Sequence, residues 1–98
     1  MSKFGELIDL SVPVLFNFYA EWNDDSVAMT PVLNDVAAAS GDRAKVIKID
    51  VDKNQELAQA LRIKSLPTLV IYKQGEMLWR QSGELDANTL LGILNEYV

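Results

Sequence analysis

The segment 12–20 constrains the fold of this chain more than any other feature. It reads V-P-V-L-F-N-F-Y-A, so β-branched and aromatic residues follow one another, and Asn17 is the interrupting polar side chain. A strand with one face in water would alternate apolar and polar residues instead. We therefore predict a central strand that is buried on both faces, as in sheets that helices cover on both sides.

Apolar periodicity and turn signals predict the elements around this strand in the order α-β-α-β-α-β-β-α. We expect strands over 12–20, 45–51, 68–72 and 77–81, and helices over 3–10, from Asn23 to about 39, from Asn54 to about 61 and from Asp86 to 97. Asn54 and Asp86 are predicted to cap the N-termini of the last two helices. Pro31 should kink the second helix, and Gln74-Gly75 predicts a tight hairpin turn between the last two strands. This alternation implies an α/β sheet that is largely parallel at first and ends in an antiparallel hairpin.

Size and residue usage exclude several classes of protein. The chain has 98 residues, which is enough for one domain over 1–98. It has no cysteine, which excludes disulfides, thiolate nucleophiles and sulfur-ligated metals, and no histidine, which excludes imidazole acid–base chemistry. The 14 acidic and 9 scattered basic residues leave a net charge of −5, which argues against a nucleic-acid partner. We expect no membrane partner and a cytoplasmic location, because no apolar run approaches the ~20 residues of a membrane span and the N-terminus lacks a signal-peptide pattern.

Five short motifs occur in an order and at spacings that resemble those of one known family. They are P-V-L-F-N-F-Y-A-E-W at 13–22, M-T-P-V-L at 29–33, K-I-D-V-D at 48–52, L-P-T at 66–68, and the glycines at 75 and 83. Together they make residues 12–98 resemble the thioredoxins. The resemblance implies a thioredoxin fold, with a mixed four-stranded sheet flanked by helices. Because only about 11 residues precede Val12, we expect the first strand of the family to be missing.

The resemblance breaks at the position of the family's Cys-Gly-Pro-Cys motif. This chain has Asn23-Asp24-Asp25-Ser26 there, and Asn17 stands where the family places a buried aspartate as a proton relay. Thiol–disulfide exchange needs an attacking thiolate and a second thiol that resolves the mixed disulfide. We therefore expect no catalytic residue and no exchange activity. Lys48 matches a lysine of the family, and it would face Asn17 as an ammonium beside an amide.

The altered motif leaves three interpretations open. In the first interpretation, the segment only stabilises the helix, because Asn23 is a favourable N-cap and Asp24 and Asp25 suit the positive end of a helix dipole. In the second, the two aspartates form an acidic recognition surface beside Trp22. In the third, they hold a divalent cation weakly together with Glu21, and this is the least favoured of the three, so we predict no metal site. The segment 50–54 begins like an EF-hand loop, but position 55 is not the required glycine and position 61 is not the required glutamate.

Our leading functional hypothesis is a redox-inactive binding module without a cofactor. In thioredoxins, extended partner segments dock beside a cis-proline, and strand addition of this kind needs no sulfur. The resemblance assigns partner binding to Trp22, Leu66, Pro67 and Gly83, with a cis Leu66–Pro67 bond. The acidic-surface interpretation adds Asp24 and Asp25 to these partner-binding residues. The alternative is a glutathione-binding or otherwise divergent member of the thiol-disulfide oxidoreductase family, with Ser26 at the start of the helix. The oligomeric state stays open, and Trp79 is a core residue if packed or an interface residue if exposed.

Overall fold

The structure, a computed structural model, describes residues 3–98. In this range the elements are α1 (Lys3–Ile8), β1 (Val14–Tyr19), α2 (Asp24–Ser40), β2 (Lys45–Asp50), α3 (Gln55–Ala60), β3 (Thr68–Lys73), β4 (Glu76–Ser82) and α4 (Ala87–Asn95). A 3₁₀ turn at Gly41–Arg43 connects α2 to β2. The predicted order of elements is confirmed. Within residues 3–98, no helix is long and apolar enough to cross a membrane.

The four strands form one mixed sheet in the order β2-β1-β3-β4. β1 runs parallel to β2 and antiparallel to β3, and β3 and β4 form an antiparallel hairpin. Before Val14 the described residues form α1 and a connecting loop without a strand, as the sequence predicted. The mixed four-stranded sheet with flanking helices is the expected thioredoxin fold.

The sheet is less parallel than the order of elements suggests, because β3 joins β1 in the antiparallel direction. β3 starts at the end of the sheet where β2 finishes, so that Thr68 lies opposite Phe18. The six-residue helix α3 and the loops on either side of it connect β2 and β3 at this end.

β1 is buried on both faces, as predicted, and its two faces contribute to two apolar clusters. Leu15 packs with α2 and α4 on one side, in the cluster that contains Met29. Phe16 and Phe18 pack on the other side, with α1 and α3. The ring centroids of Phe4 and Phe16 lie 4.9 Å apart, so α1 closes this second cluster. Trp79 is half-buried against the first cluster, which makes it a core residue.

The hairpin turn between β3 and β4 confirms the prediction and also anchors the N-terminal helix. Gln74 has a φ of 51° and Gly75 a φ of 84°, and left-handed values at both central residues are typical of a type I′ turn. The backbone N–H of Gln74 donates to the carbonyl of Leu10, and that of Gly75 to the carbonyl of Ile8 at 2.8 Å. These bonds attach the end of α1 and the segment after it to the hairpin turn between β3 and β4.

The predicted capping role of Asn54 is wrong. Asn54 occupies the N-cap position of α3, but its φ of −136° and ψ of 51° leave the side chain without a bond to the helix. Its amide instead donates to the carbonyl of Asp50 at 2.9 Å. The turn that follows β2 therefore uses this side chain to satisfy the strand end rather than the helix.

Asp86 is the N-cap of α4, and it makes the stability of the protein depend on pH. The backbone N–H of Thr89 donates to its carboxylate at 2.8 Å and, with the Thr89 hydroxyl, holds the pKa of Asp86 below its ordinary value of 3.8. A lowered pKa stabilises the folded state above the pKa of the unfolded chain, and this contribution is lost as pH falls through the folded pKa. We predict that Asp86→Ala lowers the melting temperature at pH 7, and that the difference from the native chain shrinks as the pH falls below 3.8.

Thermal unfolding followed by circular dichroism at several pH values measures this effect. Asp42→Ala, an exposed aspartate in the 3₁₀ turn, is the matched control and should not show the same pH profile. An Asp86→Ala difference that stays constant between pH 7 and pH 2 would contradict the capping role.

Candidate functional site

The register of the sheet brings the ends of three strands together. Thr68 at the start of β3 lies opposite Phe18 near the end of β1 and opposite Ser82 at the end of β4. The loops that carry Trp22, Pro67 and Gly83 therefore meet at one end of the sheet, next to the N-terminus of α2. This end is our candidate functional site.

At the altered motif, the side chains of Asn23 and Ser26 accept hydrogen bonds from backbone groups around the start of α2. The backbone N–H of Ser26 donates to the Asn23 side-chain oxygen at 2.8 Å, so Asn23 is an N-cap as predicted. The Ser26 side chain is 1% exposed, and its hydroxyl accepts from the backbone N–H of Ala20 at 3.4 Å. Ser26 thus joins the end of β1 to the first turn of α2, and a bound molecule does not reach its hydroxyl.

Asp24 and Asp25 are exposed in the first turn of α2, where the helix dipole favours negative charge. Among residues 3–98, no three carboxylates come together as a group able to hold a metal ion, so Glu21 does not complete a cluster with them. The arrangement agrees with helix stabilisation and leaves both carboxylates open to solvent.

Trp22 presents an ordered aromatic surface beside these carboxylates. Its side chain is 69% exposed, and its indole N–H donates to the Asp52 carboxylate at 2.8 Å. An indole has a single donor, so this bond satisfies its polar edge and leaves the apolar ring face to solvent. Sequence reasoning missed Asp52 as a site residue, because the two partners lie 30 positions apart.

The loop before β3 is held from both ends, and Leu66 lies in its middle. The Leu66–Pro67 peptide bond is cis, and the Pro67 carbonyl accepts from the backbone N–H of Gly83 at 2.8 Å. The Thr68 hydroxyl donates to the carbonyl of Ser65 at 2.6 Å. Gly83, the residue after β4, has a φ of 97°, a conformation that favours glycine, so this contact depends on that residue.

Arg80 is a second residue that sequence reasoning missed. From β4, its guanidinium donates to the carbonyls of Leu61 and Arg62, the latter at 2.9 Å. Arg62 has a φ of 55°, so the chain turns sharply where α3 ends. Arg80 therefore holds the beginning of the loop that leads to Pro67. A charged residue in an edge strand is usually exposed, so the sequence contained no indication of this contact.

Asn17, at the relay position, is buried without full hydrogen bonding. It is 2% exposed, and its side-chain oxygen has no hydrogen-bond partner. Lys48 lies opposite Asn17 in the register of β1 and β2, but its ammonium is positioned over the Tyr19 ring, 5.9 Å from the centroid. The structure records no bond between the amide and the ammonium among its described residues.

A shallow groove of about 300 Å³ adjoins the site between α2 and the segment that follows Gly83. It is lined by Ala28, Met29, Val32, Glu84, Leu85 and Asp86. Val27, which precedes Ala28 in α2, is 53% exposed.

Comparison with known proteins decides the family. The family model for thioredoxin matches residues 1–96. This chain belongs to the thioredoxin family. Family membership accounts for the fold and for the residues around Trp22 and Pro67, while the absence of cysteine sets the chain apart from the family's Cys-Gly-Pro-Cys pattern.

Several relatives are similar over most of the chain. A chloroplastic thioredoxin Y of Oryza sativa is 41% identical over 91 residues, which are 92% of this chain and 54% of that protein, so the chain spans about half the length of this relative. A thioredoxin-like protein of Synechocystis is 40% identical over 98 residues, with 99% of this chain and 93% of that protein covered. The solved structure of a mutant thioredoxin from Halobacterium salinarum superposes with a TM-score of 0.88 at 32% identity, and covers 99% of this chain and 84% of its own.

The first prediction for the site concerns the cap. Asn23→Ala should lower the free energy of unfolding by about 1 kcal/mol, because the Ser26 backbone N–H loses its acceptor. Asn23→Asp should stay within a few tenths of a kcal/mol of the native chain, since aspartate caps about as well. Urea unfolding of both variants measures this, and equal losses in the two would contradict the capping role.

The second prediction concerns Asn17. Asn17→Asp should lower the free energy of unfolding at pH 7 by about 2–4 kcal/mol, because burial disfavours a carboxylate and raises its pKa in the folded state. A raised folded pKa means that the penalty is absent below the unfolded pKa of about 4 and grows as the pH rises toward the folded pKa. Urea unfolding between pH 3 and pH 8 measures the effect.

Asn17→Leu is the matched control for this prediction. It removes the unpaired oxygen and has no titratable group, so the difference between its free energy of unfolding and that of the native chain should be the same at every pH. A pH-independent loss in Asn17→Asp would show that the carboxylate is not desolvated there.

Proposed function

We propose that this protein is a redox-inactive binding module, which docks an extended protein or peptide segment beside Leu66 and Pro67. The observation that carries the proposal is the state of the Leu66 backbone. Its N–H and C=O make no backbone hydrogen bond with the described residues, although the loop around them is held by Gly83 and Thr68. An extended segment could bond to these two groups as an added strand.

The surface around Leu66 suits a segment with apolar and basic side chains. The exposed ring face of Trp22 offers apolar contact area, and its bond to Asp52 keeps the ring ordered before a partner arrives. Rigid aromatic side chains favour binding because little conformational entropy is lost on contact. Asp24 and Asp25 add negative charge at the same end of the sheet, which would attract a basic segment.

Sulfur chemistry is no part of this proposal. The chain has no cysteine, so it offers neither an attacking thiolate nor a resolving thiol. The alternative reading, a glutathione-binding or otherwise divergent oxidoreductase, would need an accessible group at the start of α2. The buried Ser26 hydroxyl, which already accepts a backbone bond, gives that reading no support. A cytoplasmic location stays a prediction.

The binding experiment compares the native chain with Leu66→Asp in capture from lysate of the source cells. We expect partners of the native chain to be lost with Leu66→Asp, because a carboxylate beside the docked strand removes apolar contact and repels its backbone carbonyls. Met77→Asp is the matched control, since Met77 is 41% exposed on β4 and the substitution changes the charge equally. It should capture the same partners as the native chain.

Amide chemical shifts then locate the contact on the protein. With a captured partner added, the Trp22 indole N–H and the amides of residues 65–68 should shift. Partners that bind Leu66→Asp as well as the native chain, or shifts confined to another surface, would overturn the docking proposal.

A separate assay tests the absence of redox chemistry. Insulin reduction by dithiothreitol should proceed at the same rate with and without the protein, because no thiol is present to relay electrons. Acceleration that grows with protein concentration would contradict the proposal.

A further inference from the structure

The outer edge of β2 is a regular row of backbone groups that the described strands leave unpaired. β2 pairs with β1 on one side, and no described strand lies on its other side. The N–H of Lys45 donates to the Pro13 carbonyl at 3.0 Å, and that of Val51 to the Tyr19 carbonyl at 2.9 Å. The backbone N–H and C=O groups of successive residues point to opposite sides of a strand. Those of the odd-numbered residues of β2 therefore face β1, and those of residues 46, 48 and 50 point outward.

The two edges of the sheet differ in how they are protected. At the β4 edge the hairpin has a register shift at Ile71/Tyr72, and such irregularities discourage pairing with other strands. β2 instead runs six residues in unbroken register with β1. Beside it lies a groove of about 290 Å³ between α1 and α3, where Ile47, Ile49 and Phe4 are among the lining residues. A second strand laid along β2 would therefore meet both open backbone groups and apolar side chains.

The sequence of β2 favours a second copy of itself in that position. In an antiparallel pair, two residues that lie opposite each other either exchange backbone hydrogen bonds or both direct their backbone groups away from the other strand. Residues whose backbone groups point outward from β2 therefore pair only with residues of the same kind in the second copy. Pairing Val46 with Asp50 of a second copy would set Lys48 against the same lysine of that copy, and like charges directly opposite destabilise a sheet. Pairing Val46 with Lys48 of a second copy leaves both lysines without a carboxylate.

One antiparallel register is complementary in charge. It sets Lys48 opposite Asp50 of the second copy, and the two-fold symmetry repeats this pair with the roles reversed. Ile49 then lies opposite Ile49 of the second copy, and Ile47 opposite Val51, on the face that carries the groove. We propose that two copies of this chain associate through β2 in this register and form one sheet continuous across both.

The contacts that Asp50 and Lys48 already make leave room for this pairing. One oxygen of the Asp50 carboxylate accepts from the backbone N–H groups of Asp52 and Lys53, at 2.9 and 3.4 Å, and the second oxygen has no recorded bond. The Asp50 carbonyl accepts from the Asn54 amide, but a carbonyl has two lone pairs. Lys48 contacts the Tyr19 ring at 5.9 Å and is otherwise exposed.

The experiment measures the mass of the protein by sedimentation between about 10 μM and about 1 mM, a range that covers weak self-association. The native chain should convert from monomer to dimer across this range. Lys48→Asp and Asp50→Lys should each raise the dimer dissociation constant at least about 10-fold, because each creates two like-charge contacts. An equimolar mixture of the two variants should recover the dimer, since both opposed pairs are then of opposite charge.

Two further variants separate this register from general charge effects. Lys45→Asp changes the net charge by the same amount as Lys48→Asp, but in this register position 45 falls opposite Lys53 of the second copy, so this substitution should not weaken the dimer. Asn54→Ala releases the Asp50 carbonyl and should strengthen the dimer. Far-ultraviolet circular dichroism and thermal unfolding confirm beforehand that each variant is folded.

The possible outcomes are distinct. A native chain that stays monomeric at every concentration overturns the proposal and leaves the β2 edge to a different partner. A dimer that Lys48→Asp does not weaken, or that Lys45→Asp weakens equally, overturns the register. Because these measurements involve no other protein, their result is independent of the docking proposed at Leu66.

Discussion

The burial of β1 on both faces is the constraint on which the rest of the structure depends. Leu15 packs toward α2 and α4, and Phe16 and Phe18 pack toward α1 and α3, so one strand joins both apolar clusters. A six-residue strand covered in this way places its carboxyl end at a defined point, and α2 begins there. The end of β1 determines the positions of Trp22, the altered motif and the Pro67 loop.

The site keeps the framework of its family while the chemistry of the motif has changed. Where the family pattern has two sulfurs, this chain has an N-cap at Asn23 and a buried hydroxyl at Ser26. Both side chains accept hydrogen bonds from backbone N–H groups. The loop near Leu66 is nevertheless supported by Arg80, Gly83 and Thr68. A framework preserved without its reactive groups agrees with binding as the proposed role, because docking depends on shape and on open backbone groups.

The sequence predicted the local features of the site well and the long-range features poorly. Asn23 as a cap follows from its own residue type and from the apolar periodicity after it. Asn54 looked equally suitable, but its backbone angles turn the side chain toward Asp50, and no local pattern encodes that choice. The bond from Trp22 to Asp52 and the bonds from Arg80 to the end of α3 join residues far apart in the chain, so they exist only after the sheet has formed.

By itself, the sequence determined the order of the elements, the burial of β1 and the absence of cysteine, because each depends on residue type and spacing along the chain. Tertiary structure decided the direction of β3, which pairs antiparallel with β1 although the alternation of elements predicted a largely parallel sheet. It also decided that Ser26 is closed to solvent while Trp22 is open, and that β2 forms an edge of the sheet. These properties depend on which elements become neighbours, and that is set by packing across the whole chain.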